Sequence, residues 1–413
     1  MTAPDRRVGL LTELAVAAFS LLISIGWAVI LSMSQRNRKK VRSLPRADGT
    51  CTLEDRVSVV IPVRNGEGII GQTLNSVTAQ EGVKCEVIVV DDRSSDGTAT
   101  ATARFIGKGV VYVLARERPE GWMGKSWACH EGYLTSSGDW LVFMDADSQL
   151  QEEGLLMDAL CFARSEGMSA MSLMPRLRTD SIASKVMLPA LYALLYVLAP
   201  PYKTTDPSSD LAFFFGAFIA VKRSAYEEVG GHHAIRDKLL DDKSLGELIK
   251  SSGHRVALLD ASDRFSATFA GSFRGHVNGL QRLFTQYAVE SVQERGVLGG
   301  LLFMTRYLAA AVLAMIPPVA LPIVAIALDL PLYVKLLSLL PVLTVITGHH
   351  RISASVGIRG VYSLTIPLAH LTILSVLLYV AARSLSGKLV LKWHGRKYVY
   401  ELRRGRGKSL LAG

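Results

Sequence analysis

WLVFMDADSQL, Trp140–Leu150, begins as an apolar run and stops at two carboxylates, Asp145 and Asp147, with one alanine between them. If the run is a buried strand, both charges sit at its carboxyl end. Their mutual repulsion is unfavourable there unless a cation or a hydrogen-bond network offsets it. The competing reading is a strand end followed by an Asx turn. Two earlier runs, VSVVIPV (57–63) and CEVIVVDD (85–92), share the same β-rich apolar character, and the segments between them have helical spacing and turn residues. Continuous apolar strands alternating with helices predict an α/β domain with a parallel sheet covered on both faces. Ligands of such sheets sit beyond the carboxyl ends of the strands, so Asp91, Asp92, Asp145 and Asp147 are expected around one crevice.

Around this domain the chain is apolar. It has 413 residues, 49% of them hydrophobic. Leu10 to Met33 is long enough to cross a bilayer as a helix and is followed by Arg36, Arg38, Lys39, Lys40 and Arg42, cations expected on the cytoplasmic side. The run has no clear small-residue cleavage site and its charge follows it, which favours an uncleaved anchor over a signal peptide. The net charge of +10 tracks membrane edges and lacks interleaved aromatics, so a membrane surface is the expected partner and nucleic acid is not. Cys51, Cys85, Cys129 and Cys161 are scattered without a C-x-x-C pair, which predicts reduced thiols in a cytosolic domain.

The expected organisation is an anchor with its basic flank at 1–42, a cytosolic domain at 43–296, apolar spans at 297–385 and a basic tail at 386–413. Ser184–Lys203 is apolar but short and ends in a Pro-Pro pair, so it reads as a helix lying in the bilayer interface. Three later stretches, roughly 301–327, 331–348 and 361–382, are apolar. If all three cross, the basic tail from Lys388 emerges outside, against the positive-inside rule, so one is expected to be re-entrant or interfacial.

The chemistry follows from charge. A nucleotide diphosphate in the crevice can be held by carboxylates only through a divalent cation, and Asp145 and Asp147 can direct oxygens toward one Mg²⁺ or Mn²⁺. Asp91, within VVDDRSSDGT, would accept hydrogen bonds from a base or ribose, with Ser94, Ser95 and Gly97 shaping the turn. Asp242, in KLLDDKSLGELIKSSGH, would take a proton from an acceptor hydroxyl, which implies direct displacement with inversion. An acidic first turn stabilising its helix dipole is the plainer alternative. In GWMGKSWACHEG (121–132), Lys125 would neutralise diphosphate charge, and Trp122 and Trp127 either meet a ring or the membrane surface or form a packed aromatic turn.

Five segments in order, VSVVIPVRNGEGII, EVIVVDDRSSDGT, GWMGKSWACHEG, LVFMDADSQL and GGHHAIRDKLLDDKSLGELIKSSGHRV, carry a resemblance. The chain resembles the family two glycosyltransferases of the glycosyltransferase A fold over roughly residues 56 to 290. Within that family it looks most like the membrane branch of carotenoid and hopanoid pathways, and LKWHGRKY in the tail also looks familial. The resemblance implies a nucleotide-sugar-dependent inverting transferase. It places Pro62, Arg64 and Asn65 in the first nucleotide-contacting loop, Asp91 in nucleoside recognition, Asp145 and Asp147 in the metal and diphosphate motif, and Asp242 as the base. Departures are Gly66 where a Glu is usual, with Glu67 one place later, and Asp241 in place of the usual Glu beside the base. The Q-x-x-R-W motif of processive synthases is missing, GLQRLF (279–284) being a partial echo, which favours a single transfer. The expected acceptor is a lipid or isoprenoid and the expected donor UDP-linked. A polyprenyl phosphate acceptor, and a non-catalytic nucleotide-sugar-binding scaffold or flippase component, stay open as alternatives.

Overall fold

The computed structural model describes residues 3–393, 396–401 and 409–412. Ten strands build the domain: Arg56–Val63 (β1), Lys84–Asp91 (β2), Val110–Leu114 (β3), Trp140–Phe143 (β4), Gln149–Leu150 (β5), Ala170–Met174 (β6), Arg176–Leu177 (β7), Ile219–Lys222 (β8), Val256–Asp260 (β9) and Phe265–Ala267 (β10). Seven of them form one sheet in the order β3-β2-β1-β4-β8-β6-β9. Pairings among β3, β2, β1 and β4 are parallel, as is β6 with β9, whereas β8 runs antiparallel to both β4 and β6.

The apolar runs are unbroken because both faces of the sheet are buried. On one face Val57, Val59, Ile61 and Val63 join Ile70, Leu74, Leu155 and Leu156 in a core; on the other Val60, Ile88, Val90 and Leu141 pack with Trp127, Ala128 and Cys129. The helix Ile70–Thr78 shows how the covering layer is encoded: Ile70, Leu74 and Val77 recur at helical spacing and are the apolar residues it buries. A second, small sheet pairs β10 with β5 and β7 and fastens the segment that follows Asp147.

The segment between the first helix, Ala3–Lys39, and β1 is bound to the domain at several points. Ser43 bridges to Asp260, Leu44 N donates to Asp260 O at 2.8 Å, Arg264 Nη2 donates to Leu44 O at 2.8 Å, and Ala47 N donates to Asp158 Oδ1 at 2.6 Å. Cys51 and Cys161 are joined in a disulfide, which corrects the expectation of four reduced thiols; Cys85 and Cys129 are free. The pairing was not legible because the two cysteines lie 110 residues apart and meet only when this segment crosses the helix Leu155–Ser165.

Among the described residues, five helices are long and apolar enough to cross a membrane: Val8–Lys39, Ile182–Thr205, Phe273–Met315, Leu332–Ser355 and Gly360–Leu385. The second corresponds to the segment expected in the interface, and both its ends are fastened to neighbouring backbone. Ser181 Oγ accepts from Ser184 N at 3.0 Å, Ser184 Oγ donates to Ala270 O at 3.0 Å, and Asn37 Nδ2 donates to Tyr196 O at 2.7 Å. The stretch expected at 301–327 belongs to a helix that already begins at Phe273, breaks direction at Gly296 (φ 71°) and gives way to a new helix at Pro317. Strands Lys388–Trp393, Arg396–Glu401 and Ser409–Ala412 follow the last apolar helix. Residues 394–395, 402–408 and 413, and with them part of LKWHGRKY and much of the basic tail, lie outside the described residues.

Candidate active site

Two loops after β1 and β2 interlock at the carboxyl edge of the sheet. Pro62 is the penultimate residue of β1, and Arg64 Nη1 donates to Asp92 O at 3.2 Å. Asn65 adopts a positive φ of 53°, which an asparagine tolerates better than most residues, and this lets its Oδ1 accept from Ser95 N at 2.8 Å while its own N–H donates to Ser94 Oγ at 2.9 Å. Asp91 is buried at the end of β2; its Oδ1 accepts from Ser94 N at 2.7 Å and its Oδ2 from Tyr112 Oη at 2.8 Å. Tyr112 was not singled out in the sequence, since a tyrosine inside a short β-strand carries no signal that it faces a neighbouring strand's carboxylate. Glu67, displaced by one place from the familial position, serves the same turn: its Oε2 accepts from Gly97 N at 3.1 Å.

A second group of side chains meets beyond β4. Lys125, in the first turn of the helix Gly124–Thr135, places Nζ 2.7 Å from Asp145 Oδ1 and 3.2 Å from Asp241 Oδ2. Asp241 and Asp242 open the helix Asp241–Ser251. Asp242 Oδ2 accepts from Gly216 N at 3.2 Å and Oδ1 from Lys243 N at 2.8 Å. Gly216 is the hub: a Cβ there would stand 2.6 Å from Lys125 Nζ and 3.2 Å from both Asp145 Oδ2 and Asp242 Oδ2. Four separate segments thus bring Lys125, Asp145, Gly216 and the Asp241–Asp242 pair to one point. Sequence reasoning named all of them except Gly216, whose role depends on a missing side chain.

The electrostatics divide the carboxylates. Burial raises Asp241, but Lys125 and Arg282 outweigh it and hold the group below its usual value. Asp242 is pushed up, first by burial and then by the charge of Asp241. Asp147 is raised to about 7 by burial and by Asp145. Burial works against the Lys125 ammonium, yet Asp145, Asp241 and Asp242 together keep it well above its usual value. Arg282 therefore belongs to this electrostatic neighbourhood, although the GLQRLF segment containing it is only a partial motif.

Trp122 and Trp127 are both buried and pack edge to face with centroids 5.0 Å apart, and Trp127 Nε1 donates to Arg116 O at 3.0 Å. They form the packed aromatic turn, which corrects the reading of either ring as a ligand or membrane contact. The turn fixes the start of the helix that carries Lys125.

Asp145 and Asp147 fit a divalent cation by charge: no Lys or Arg lies within ion-pair distance of Asp147 among the described residues, and its value is raised first by burial and then by the charge of Asp145. Among the described residues no group of three or more His, Cys, Asp or Glu side chains is gathered for a metal. The protein would therefore supply two carboxylates and leave the remaining ligand positions to a bound phosphate and water.

Strand order, helices on both faces and carboxylates beyond the strand ends define a mostly parallel α/β domain of the glycosyltransferase A fold, extended by apolar helices on either side. Residues 58–230 match the family described as Glycosyl transferase family 2. Over 229 residues the chain is 31% identical to a 4,4'-diaponeurosporenoate glycosyltransferase of Staphylococcus haemolyticus (strain JCSC1435), covering 54% of this chain and 59% of that protein. The protein of the same description from Staphylococcus aureus (strain USA300) is 27% identical over 207 residues, covering 49% and 54%. The chain spans less than two thirds of the length of these curated relatives. Among solved structures, a mannosyltransferase from Pyrobaculum calidifontis in complex with GDP-Man and Mn²⁺ superimposes with a TM-score of 0.51 at 18% identity, covering 90% of this chain and 99% of that one, which shows the shared fold.

Proposed function

We propose that this protein is a membrane-bound glycosyltransferase that moves a single sugar, with inversion, from a nucleotide-sugar donor to a lipid or isoprenoid acceptor. The observation that carries the reading is the convergence of Lys125, Asp145 and the Asp241–Asp242 pair on Gly216, beside the loops that hold Asp91. The names of the Staphylococcus relatives support an isoprenoid acid as acceptor, and the apolar helices support a site served from the bilayer. We further infer a multi-pass protein of the cell membrane, with the catalytic domain on the cytoplasmic side where nucleotide sugars are made.

In this reading Pro62, Arg64, Asn65 and Asp91 receive the nucleoside end of a donor, which is expected to be UDP-linked. Asp145 and Asp147 would hold Mg²⁺ or Mn²⁺, which when bound neutralises the diphosphate and so improves it as a leaving group. Lys125 fixes Asp145 and Asp241 in place. Asp242, with its affinity for a proton raised by burial and by Asp241, accepts the proton of the acceptor hydroxyl. The acceptor oxygen then forms its bond to the anomeric carbon as the bond from that carbon to the diphosphate oxygen breaks, and the nucleoside diphosphate departs on the opposite side.

The test uses the full chain in detergent with UDP-glucose, UDP-GlcNAc or GDP-mannose, Mg²⁺ or Mn²⁺, and a bacterial total lipid extract. Nucleotide release is read together with mass spectrometry of the lipids. Metal-dependent release with a new hexose-bearing or N-acetylhexosamine-bearing lipid is expected, and Asp242→Asn, Asp145→Ala and Asp147→Ala should each lose at least about a hundredfold in kcat. Donor binding without any lipid product across the panel would overturn the transferase reading.

A further inference from the structure

The turn that presents Asp242 is clamped from behind by groups the catalytic reading does not use. Lys243, the next residue, points away from the crevice and is buried, its side chain 8% exposed. Its Nζ lies 2.8 Å from Glu247 on its own helix and 3.1 Å from Glu290 Oε2 on the helix Phe273–Met315. The ring of Tyr287, one turn before Glu290, stands 5.3 Å from the same ammonium. Gln286 completes the junction: its Nε2 donates to Glu290 Oε1 at 2.6 Å, and its Oε1 accepts from Leu239 N at 2.9 Å, two residues before Asp241. Residues 239 and 243 are therefore both tied to one stretch of another helix, and the carboxylates at 241 and 242 lie between the two ties.

That helix is the one that continues past Gly296 toward the apolar segments. An ammonium this buried costs free energy unless its partners are held in place, and of the two carboxylates Glu247 belongs to the same helix as Lys243, so only Glu290 joins the turn to another element. The contact that fixes the turn is thus the one between Lys243 and Glu290.

We propose that Lys243, Glu290 and Gln286 are positioning residues that set the place of Asp242 relative to the helix leading into the bilayer, and so to an acceptor presented there. The inference rests on the reading of Asp242 as the base. It predicts an effect on the transfer step and none on donor binding, since none of the three residues approaches the loops around Asp91 or the Asp145–Asp147 pair. A displacement of the base by a fraction of an ångström to an ångström should lower kcat about ten- to a hundredfold.

The experiment uses the full chain in detergent with whichever of UDP-glucose, UDP-GlcNAc and GDP-mannose gives product with the lipid extract. It compares wild type with Glu290→Gln, which keeps an acceptor for Gln286, with Lys243→Met, with Lys243→Arg and with the Glu290→Gln/Lys243→Met pair. The expected result is a fall in kcat of at least about tenfold for Glu290→Gln and for Lys243→Met, with KM for the donor unchanged. The double variant should be no slower than the worse single variant, and Lys243→Arg should recover most of the rate. Additive losses, or a raised donor KM at wild-type kcat, would overturn the proposal. If Lys243→Met does not fold, Lys243→Arg and Glu290→Gln still decide it: equal kcat for wild type and Glu290→Gln rejects the clamp. Asp242→Asn separates the two layers. Wild-type kcat in that variant removes the base assignment and this inference with it, whereas an inactive Asp242→Asn beside a fully active Glu290→Gln removes the clamp alone.

Discussion

Burial and the neighbouring charge of Asp145 make the Asp147 carboxyl hold its proton more tightly than an ordinary aspartate does. Its value of about 7, against an ordinary aspartate near 4, means that the native state binds a proton more tightly than the unfolded chain does. The sign follows from linkage: below the unfolded value both states are protonated and nothing is lost, and as pH rises toward 7 and beyond the native state must carry the unfavourable charge. In metal-free buffer, Asp147→Asn should therefore stabilise the protein at pH 8 by roughly 1–2 kcal/mol, discounted from the full shift because the side chain keeps some solvent contact, and by almost nothing at pH 4. Thermal melts at the two pH values check this, and equal melting temperatures at pH 8 would refute it. Gly216 makes the complementary case, since any Cβ there meets Lys125 Nζ at 2.6 Å. Gly216→Ala should cost about ten- to a hundredfold in kcat while shifting the melting temperature little, because the side chain that must yield is the flexible end of a lysine. The sequence displayed the charged members of this site because paired aspartates at strand and helix ends are unusual, but it could not display Gly216 or Tyr112. One works through an absent side chain, and the other through a register between β2 and β3 that only pairing defines.

At the scale of elements, the strands were legible wherever both faces of the sheet are buried, as in β1, β2 and β4, where the apolar run is continuous. The antiparallel insertion of β8 was not, because a four-residue strand has no direction that a hydrophobic pattern can reveal. The apolar stretches begin near residue 297, where the helical run that starts at Phe273 is interrupted by the non-helical backbone of Gly296. Its φ of 71° is disfavoured for any residue with a Cβ, and no neighbouring atom lies within 4 Å of where that Cβ would be. Gly296→Ala should thus act through the backbone alone, destabilising the protein by about 1–2 kcal/mol. Denaturation in detergent measures it, and an unchanged midpoint would mean that the helix straightens there without penalty.

The whole molecule is closed by a covalent link that no local pattern announces. The Cys51–Cys161 disulfide ties the segment after the first helix to the helix Leu155–Ser165 across 110 residues of chain. A loop of that length loses much of its freedom in the unfolded state when cross-linked, so reduction, or Cys161→Ser, should lower stability by about 2–4 kcal/mol. A melt of the purified chain with and without dithiothreitol reads this directly, and Cys51→Ser should abolish the difference between the two conditions. The expectation of reduced thiols came from reading the four cysteines by spacing alone, which detects metal and redox motifs but not partners brought together by the fold.

The segment from Ser43 to Cys51 has one more consequence. Because it is bridged to Asp260, bonded to Arg264 and Asp158 and joined to Cys161, the domain does not hang from its first helix on a cord. It stands on a rigid pedestal. A catalytic head on a cord can reach acceptors at many heights, whereas one on a pedestal works at a single altitude above the lipid. In the proposed reading, the acceptors taken are then those whose reactive oxygen rises to that altitude, and chemically similar ones that lie too deep are passed over.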